Sequence, residues 1–344
     1  MSLYLWTALL IVILSLFFRG KRQKIGLLIG CIYLFVITAF RDYTVGIDTV
    51  TYEMMYNTTP DDIHSLSLRA LNERFFAYLM FFLSKLGYTF RAFLIVISIL
   101  FYALVYYVLS KQPRSVEGLQ LFYLLCFPFM FFNITRQMIA VMVSLIGFLY
   151  LEKGHKKIWV AMFLLSIGIH TSAFVTILFY PFTKIKLYKS QAWLASLLLI
   201  DTFFVPFAVS TEMIADFFNQ IALINNQYGN YLTEDVGKGI FSWSRVLMNV
   251  MYIMILFIDK ENVKSPCLIM MLFYLMVLNI FPFSGIIVRI NLYFSVFQVL
   301  FFVRKINGDG ITMRIISYVY CFAVFMNMLL ANNGGVVPYI WAGL

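Results

Sequence analysis

The stretch RQMIAVMVSLIGFLYLEKGHKKIWVAMFLLSIGIH, residues 136–170, consists of two apolar runs joined by a short basic turn. Neither run alternates polar and apolar residues as a strand of a membrane barrel would, so both are predicted to be helices. Arg136 lies 17 residues before Lys153, and His170 lies 17 residues after it. With a rise of about 1.5 Å per residue, two antiparallel helices bring Arg136 and His170 to similar depth near one membrane surface.

The whole chain shares this apolar character. Of its 344 residues 62% are hydrophobic and 12% are charged, and the mean hydropathy is +0.88. A soluble globule needs more polar surface than this. We therefore predict an all-α, polytopic helical bundle of about 11–14 membrane helices, forming a single transmembrane domain over residues 1–344. The apolar runs lie at 3–18, 25–40, 75–88, 92–110, 119–133, 137–151, 158–182, 191–209, 244–258, 266–283, 286–303 and 312–330.

The charges indicate which side each loop occupies. Short loops hold 17 of the 26 Lys and Arg residues and are predicted to be cytoplasmic; they lie at 19–24, 111–114, 153–157, 184–189, 260–264 and 304–314. The two longest polar segments, 41–74 and 210–243, then lie outside. This topology requires that 158–182 turns back near His170 as two half-length helices and that 75–88 enters without crossing. The alternative is a full span at 75–88, which would move 153–157 outside, against the charge rule.

The same topology explains the net charge of +10 without a nucleic-acid partner, because the basic residues are spread over loops between spans. The four cysteines lie within apolar runs and are predicted to be packing residues. The chain has no P-loop, GxSxG, HExxH, CxxC or glycine-rich dinucleotide turn. With only three His residues and no DxD-type cluster, neither a cofactor nor a metal is expected, and a sugar-nucleotide enzyme is disfavoured.

Arginines are concentrated on the predicted outer side. Seven Arg and two Lys lie there, against five Arg and twelve Lys inside. The planar guanidinium suits phosphate or carboxylate, whereas lysine is sufficient for topology. The candidates for ligand binding stand at ends of apolar runs: Arg41, Arg136 with its neighbour Gln137, Arg245 and Arg289. The competing interpretations are that Arg136, Arg245 and Arg289 snorkel at helix ends or act as topological anchors, and that Arg41 pairs with an aspartate in an ordinary solvated loop.

Two residues are candidates for a general base. His170 ends an apolar helix at the depth of Arg136, and ionisable groups at such places are costly and usually functional. Asp48 lies in FRDYTVGIDTVTYEMMY, residues 40–56, where Gly46 permits a turn back to the membrane surface. The alternatives are a hydrogen-bonded histidine of the bundle and an ordinary solvated loop.

Four motifs in order resemble the EpsG-like family of Wzy-type polysaccharide polymerases. They are GIDT at 46–49, NITRQMIA at 133–140, HTSA at 170–173 and RINLYF at 289–294. The resemblance implies a metal-independent glycosyltransferase with a C-type membrane fold at the outer face of the bacterial plasma membrane. It also implies that Arg136 and Arg289, with Arg41 or Arg245, bind diphosphate and sugar.

The substrate implied by the resemblance is an oligosaccharide repeat unit on undecaprenyl diphosphate, within the membrane lipid. A chain-length regulator and a flippase of the same pathway are possible partners. A lipid-linked glycan ligase would use the same chemistry with another acceptor. A transporter of the lipid-linked oligosaccharide could also bind diphosphate through external arginines, but it would be expected to have inverted repeats, and none is visible.

Overall fold

The computed structural model describes residues 1–60, 62, 74–126, 132–208, 241–258, 265–282, 285–308 and 310–343. In this part of the chain every regular element is a helix, so the all-α prediction is confirmed. The predicted external loop 41–74 is described in part, whereas residues 210–240 of the second lie outside the described residues.

The chain divides into two compact units. Unit 1 comprises residues 1–177, 302–307 and 321–344, and unit 2 comprises residues 178–301 and 308–320. The first helices, all in unit 1, are α1 Ser2–Phe17, α2 Gln23–Ala39, α3 Ile47–Asn57, α4 Arg74–Lys85, α5 Phe90–Ser110, α6 Ser115–Cys126, α7 Thr135–Glu152 and α8 Lys156–Ile169. A 3-10 helix, Thr171–Leu178, leads into α9 Phe179–Phe182, α10 Ala192–Ala208, α11 Trp243–Ile258, α12 Pro266–Ile280, α13 Gly285–Ser295, α14 Phe297–Gly308 and α15 Gly310–Leu330.

Five stretches of the described chain are long and apolar enough to cross a membrane: Gly20–Ala39, Phe90–Ser110, Thr135–Glu152, Ile287–Asn307 and Ile311–Leu330. Shorter apolar helices of 10–17 residues accompany them, namely Ser2–Phe17, Ser115–Cys126, Thr171–Phe182, Ala192–Ala208, Trp243–Ile258 and Pro266–Ile280. Because these lengths and compositions recur along the whole chain, the protein is a multi-pass membrane protein.

The opening sequence forms the expected helical hairpin. Helices α7 and α8 are joined by the turn at Lys153–His155 and pack against each other. Gly147 allows the close approach, since a Cβ there would lie 3.0 Å from the Met162 Cβ. Helix α8 ends at Ile169, and His170 has an extended backbone before the 3-10 helix begins. The helix is thus interrupted at His170, while the return of the chain to the same side stays a prediction.

Two apolar runs behave differently from a plain span. The run at 75–88 becomes α4, which at about 1.5 Å per residue is about 18 Å long and shorter than the hydrocarbon layer of about 30 Å. The residues just before Arg74 lie outside the described part of the chain, and entry without crossing stays a prediction. The run at 286–303 was expected to be one helix, but a turn at Val296 separates α13 from α14. The Gln298 side chain donates to the Ser295 carbonyl at 3.0 Å, which inserts a side chain into the helical hydrogen-bond ladder.

Unit 1 has a basic end, defined by the loops at 19–24, 111–114, 153–157 and 304–307. Contacts between their flanking residues bring these loops together. Arg304 makes a bidentate ion pair with Glu152, at 2.8 Å for both N–O distances, and donates to Gln112 at 3.1 Å. The Ser115 N–H donates to the Gln23 side chain at 3.1 Å. These loops, all predicted to be cytoplasmic, therefore share one end.

The opposite end of unit 1 carries the GIDT and NITRQ motifs, and we call it the motif end. There the C-terminal tail, residues 331–343, is hydrogen-bonded to the segment after α2. The Asp42 N–H donates to the Ile340 carbonyl at 2.8 Å, and the Ala342 N–H donates to the Phe40 carbonyl at 2.9 Å. The hydroxyl of Tyr4, near the start of α1, donates to the Val336 carbonyl at 2.6 Å. The N-terminus of α1 thus lies at the motif end, opposite the basic loop at 19–24.

Candidate functional site

Gly46 brings the GIDT and NITRQ motifs into contact. Its φ is +96°, and a Cβ would lie 2.8 Å from the Phe132 carbonyl oxygen, so only glycine fits both the backbone and the space. Thr49, three residues later, donates to that carbonyl at 3.0 Å. The predicted turn at Gly46 is confirmed, and it starts α3 at Ile47 with Asp48 in the first helical turn.

Asp48 and the tail meet at Asn133. The Asp48 N–H donates to the Asn133 Oδ1 at 3.4 Å. On the other side of this amide lies Gly334, where an added Cβ would overlap the Asn133 Nδ2. Asp48 itself is half-buried. The carboxylate of the nearby Asp42 accepts hydrogen bonds from the Thr44 hydroxyl and N–H. These bonds hold the pKa of the Asp42 carboxyl below its usual value.

Arg41 lies inside the protein with 1% exposure. Its guanidinium donates to the carbonyls of Thr38 and Val45 and to the Thr49 hydroxyl. It also lies over the Phe132 ring, at 4.5 Å from the centroid. Burial lowers the pKa of Arg41 to about 10, which still leaves it charged at neutral pH. These contacts make Arg41 a clamp between the end of α2 and the start of α3.

Arg136, in contrast, is half-buried in the first turn of α7. Its guanidinium lies over the Tyr52 ring, at 5.2 Å from the centroid. Tyr52 follows Asp48 by one helical turn on α3, and positions four apart share a helix face. Arg136 and Asp48 therefore flank the same face of α3. Gln137 is buried beside Arg136.

His170 lies at a similar depth in the α7–α8 hairpin. Gly147 is in contact with Met162, and counting from this contact gives eleven residues back to Arg136 and eight forward to His170. The difference of three residues corresponds to about 4.5 Å along the helix axes. The packing of the hairpin therefore places Arg136 and His170 at the similar depth that the sequence predicts.

The ring of His170 has a defined hydrogen-bonding arrangement. The Ser172 N–H donates to the His170 Nδ1 at 3.3 Å, and the Ser172 Oγ lies 2.8 Å from the same nitrogen. A backbone N–H can only donate, so Nδ1 must carry the lone pair. In the neutral ring the proton is then on Nε2. This tautomer presents Nε2 as a hydrogen-bond donor.

The other predicted arginines belong to unit 2. Arg289 is exposed on α13. Arg245 is 3% exposed at the start of α11, and its guanidinium lies over the Phe203 ring at 4.8 Å. One turn further on, Asn249 and Asn279 exchange two hydrogen bonds of 2.8 Å. This buried amide pair ties α11 to α12.

Over the described residues no three His, Cys, Asp or Glu side chains are grouped as metal ligands would be. The family comparison decides the class of protein: the EpsG family model matches residues 24–341. The chain belongs to the EpsG family. EpsG proteins are Wzy-like polymerases, so the chain has a membrane polysaccharide polymerase-like role. No curated protein and no solved structure matches it.

The EpsG match includes residues that the sequence motifs did not single out. The tail around Gly334 contributes to the site although it lies about two hundred residues from Asn133 in sequence. The signal in the sequence is the pair of adjacent glycines at 334 and 335, which is typical of a tight turn. Both glycines have a positive φ. Asn133 itself stood in the motif, but its contact with Asp48 needed the fold.

Proposed function

We propose that the protein polymerises oligosaccharide repeat units carried on undecaprenyl diphosphate, at the outer face of the bacterial plasma membrane. Family membership supports a polymerase-like role. The observation that supports the chemistry is that Asp48 and Arg136 flank one face of α3, joined through Asn133 and Tyr52. A carboxylate and a guanidinium on the same helix face suit a reaction that removes a proton and stabilises a leaving anion.

In the proposed reaction, a sugar hydroxyl of the acceptor attacks the anomeric carbon of the donor. The carbon–oxygen bond to the lipid diphosphate breaks, and negative charge develops on the departing oxygens. Arg136 stabilises this charge with its planar pair of donors. Attack from the side opposite to the leaving group inverts the anomeric centre. Undecaprenyl diphosphate leaves, and the acceptor chain has grown by one repeat unit.

Asp48 is the proposed general base, and it takes the proton of the attacking hydroxyl. The sequence alone favoured His170, but a base needs a lone pair directed at the hydroxyl. With Nδ1 accepting from Ser172, the Nε2 of neutral His170 is a donor. His170 therefore suits a hydrogen bond to a diphosphate oxygen, alongside Arg136.

The remaining candidates have different proposed roles. Arg289 is exposed and is proposed as a second diphosphate ligand. Arg41 and Gln137 are buried, and we assign them positioning roles that hold α3 and α7. Arg245 is buried against Phe203 and is likewise proposed to position its helix. A chain-length regulator and a flippase of the same pathway are proposed partners.

The reaction can be tested with purified protein in liposomes. The substrate is a synthetic undecaprenyl-diphosphate repeat unit, supplied with a chelator and without nucleotide sugar. We expect a ladder of products spaced by one repeat unit. Activity that is lost in chelator and restored by magnesium or manganese contradicts metal independence. Transfer to a different acceptor without a ladder favours the ligase.

The outer-face location rests on the charge rule, because the basic end carries most of the positive charge of unit 1. The natural cysteines are buried, so a cysteine-free background is the reference for labelling. A cysteine at Asn57, near the motif end, should react with an impermeant thiol reagent on spheroplasts. One at Gly154, in the turn of the α7–α8 hairpin, should not. The reverse pattern would invert the topology.

A further inference from the structure

A polar cleft of about 470 Å³ lies in unit 1 between α3 and the start of α5. This volume is within the range of small-molecule sites, about 300–1,000 Å³. Its walls include Tyr43, Glu53, Asn57, Tyr88, Thr89 and Arg91. None of these residues belongs to the diphosphate site proposed above.

The groups that line the cleft suit a neutral ligand rich in hydroxyls. Tyr43 is 42% exposed and Tyr88 is 55% exposed, so both rings offer a free apolar face. Glu53, Asn57 and Arg91 provide a carboxylate, an amide and a guanidinium, planar groups that hydrogen-bond pairs of hydroxyls. The charges of Glu53 and Arg91 offset each other, which disfavours a strongly charged ligand. Aromatic faces combined with such polar groups match the faces and edges of a sugar ring.

The cleft is held in shape before any ligand arrives. Tyr56 donates to the Tyr88 carbonyl at 2.8 Å, which fixes the loop ahead of α5. Its ring packs against Phe90 and Phe93, with centroids 5.9 and 5.6 Å away. Arg91 donates to the Ala39 carbonyl at 2.8 Å. A preformed site of this kind loses little conformational entropy on binding.

The cleft adjoins the proposed reaction site through α3. Tyr56, which also lines the cleft, follows Tyr52 by four residues, so the cleft continues along the face of α3 that carries Asp48 and Tyr52. The acceptor in the proposed reaction is an oligosaccharide, which extends beyond the hydroxyl that reacts. We propose that this cleft is a carbohydrate-binding subsite for the sugars of the acceptor. The identification of the bound glycan as the acceptor rests on the proposed function, but glycan binding itself can be measured without any reaction.

The experiment measures glycan binding to the full-length protein in nanodiscs. The probe is one repeat unit of the host's own surface polysaccharide, labelled with a fluorophore and free of lipid and phosphate. Binding is followed by fluorescence polarisation for wild type, Glu53→Gln, Tyr88→Ala and the matched control Tyr188→Ala, whose ring is 43% exposed in unit 2. Thermal unfolding of each variant verifies folding, and Glu53→Gln keeps the side-chain shape should Tyr88→Ala fold poorly.

We expect wild type and Tyr188→Ala to bind alike, and each cleft variant to bind roughly tenfold more weakly, as for loss of one aromatic or charged contact. Inorganic diphosphate should not displace the probe. Equal binding by wild type and the cleft variants would overturn the proposed carbohydrate subsite. No binding by wild type at millimolar glycan would also overturn it. Displacement by diphosphate also overturns it, because the site would then bind anions. A protein that binds the glycan through the cleft but forms no polymer contradicts the proposed function alone.

Discussion

Two arginine regions lie at the motif end of unit 1, and they differ in what surrounds the guanidinium. The guanidinium of Arg41 is buried, and carbonyl and hydroxyl groups of the protein accept its hydrogen bonds. Arg136 is half-buried and lies over Tyr52, on a face of α3 that also carries Asp48. One arginine maintains the shape of the site, and the other can meet a ligand. Residue type and motif position alone do not separate these roles.

Arg41→Ala should give the largest effect, because it removes the clamp between α2 and α3. The carbonyl of Thr38 would remain buried without this donor, at a cost on the order of 1–3 kcal/mol in unfolding free energy, and the contact with the Phe132 ring would also be lost. We expect little monodisperse protein and a clearly lower Tm in detergent. Arg114→Ala is the control, since its ion pair with Glu117 is partly exposed and contributes about 1 kcal/mol or less. Equal stability of the two variants would contradict the clamp.

Asp48→Asn should leave the fold intact and remove the general base. The change keeps the side-chain shape and the backbone bond to Asn133, so Tm should move little. Loss of general base catalysis lowers rates by roughly a hundredfold to ten-thousandfold. The measurement is the initial rate of ladder formation with lipid-linked repeat unit. Normal turnover in this variant would remove Asp48 from the mechanism.

His170→Gln should have a smaller effect, because the glutamine amide can replace the Nε2–H donor. We expect about a tenth of wild-type turnover, whereas His170→Ala should fall several-fold further. The comparison separates the two roles of His170. If glutamine and alanine are equally inactive while Asp48→Asn retains activity, His170 is the base, as the sequence first indicated.

Gly334→Ala should give a loss of turnover as small as that of His170→Gln, through Asn133. Its control is Gly154→Ala, because Gly154 has a similar φ, +83° against +77°, and no neighbour within 4 Å of its Cβ position. Both variants carry the backbone strain of about 1–2 kcal/mol. Only Gly334→Ala pushes against Asn133, so only it should also lower turnover, by roughly tenfold. Matching turnover losses would exclude the tail from the site.

The helical hairpin was predictable because its signals are local. Two apolar runs around a basic turn define α7 and α8, and the HTSA segment marked where α8 stops. Gly46 likewise indicated a turn before α3. These features depend on residues within a few positions of one another, where composition and spacing report directly on backbone geometry.

Other features were hidden because they depend on distant parts of the chain. The pairing of the tail with residues 40–47 uses backbone groups, which carry no sequence signature. The burial of Arg41 is likewise not visible in the sequence, which does not distinguish Arg41 from Arg136 as a ligand. The turn at Val296 has no proline or glycine, and it depends on the side chain of Gln298. The contact between Ser172 and the His170 Nδ1, which favours Asp48 over His170 as the base, is also not visible in the sequence.

Replacement of Arg136 by lysine tests most directly whether a planar guanidinium binds the diphosphate. Lysine keeps the positive charge but offers a point donor in place of the paired one. With purified Arg136→Lys in liposomes, we predict ladder formation at least about a hundredfold slower than wild type, with an unchanged Tm. Arg289→Lys should also slow it. Near-normal polymer from Arg136→Lys would contradict arginine-based catalysis and return Arg136 to a helix-end anchor.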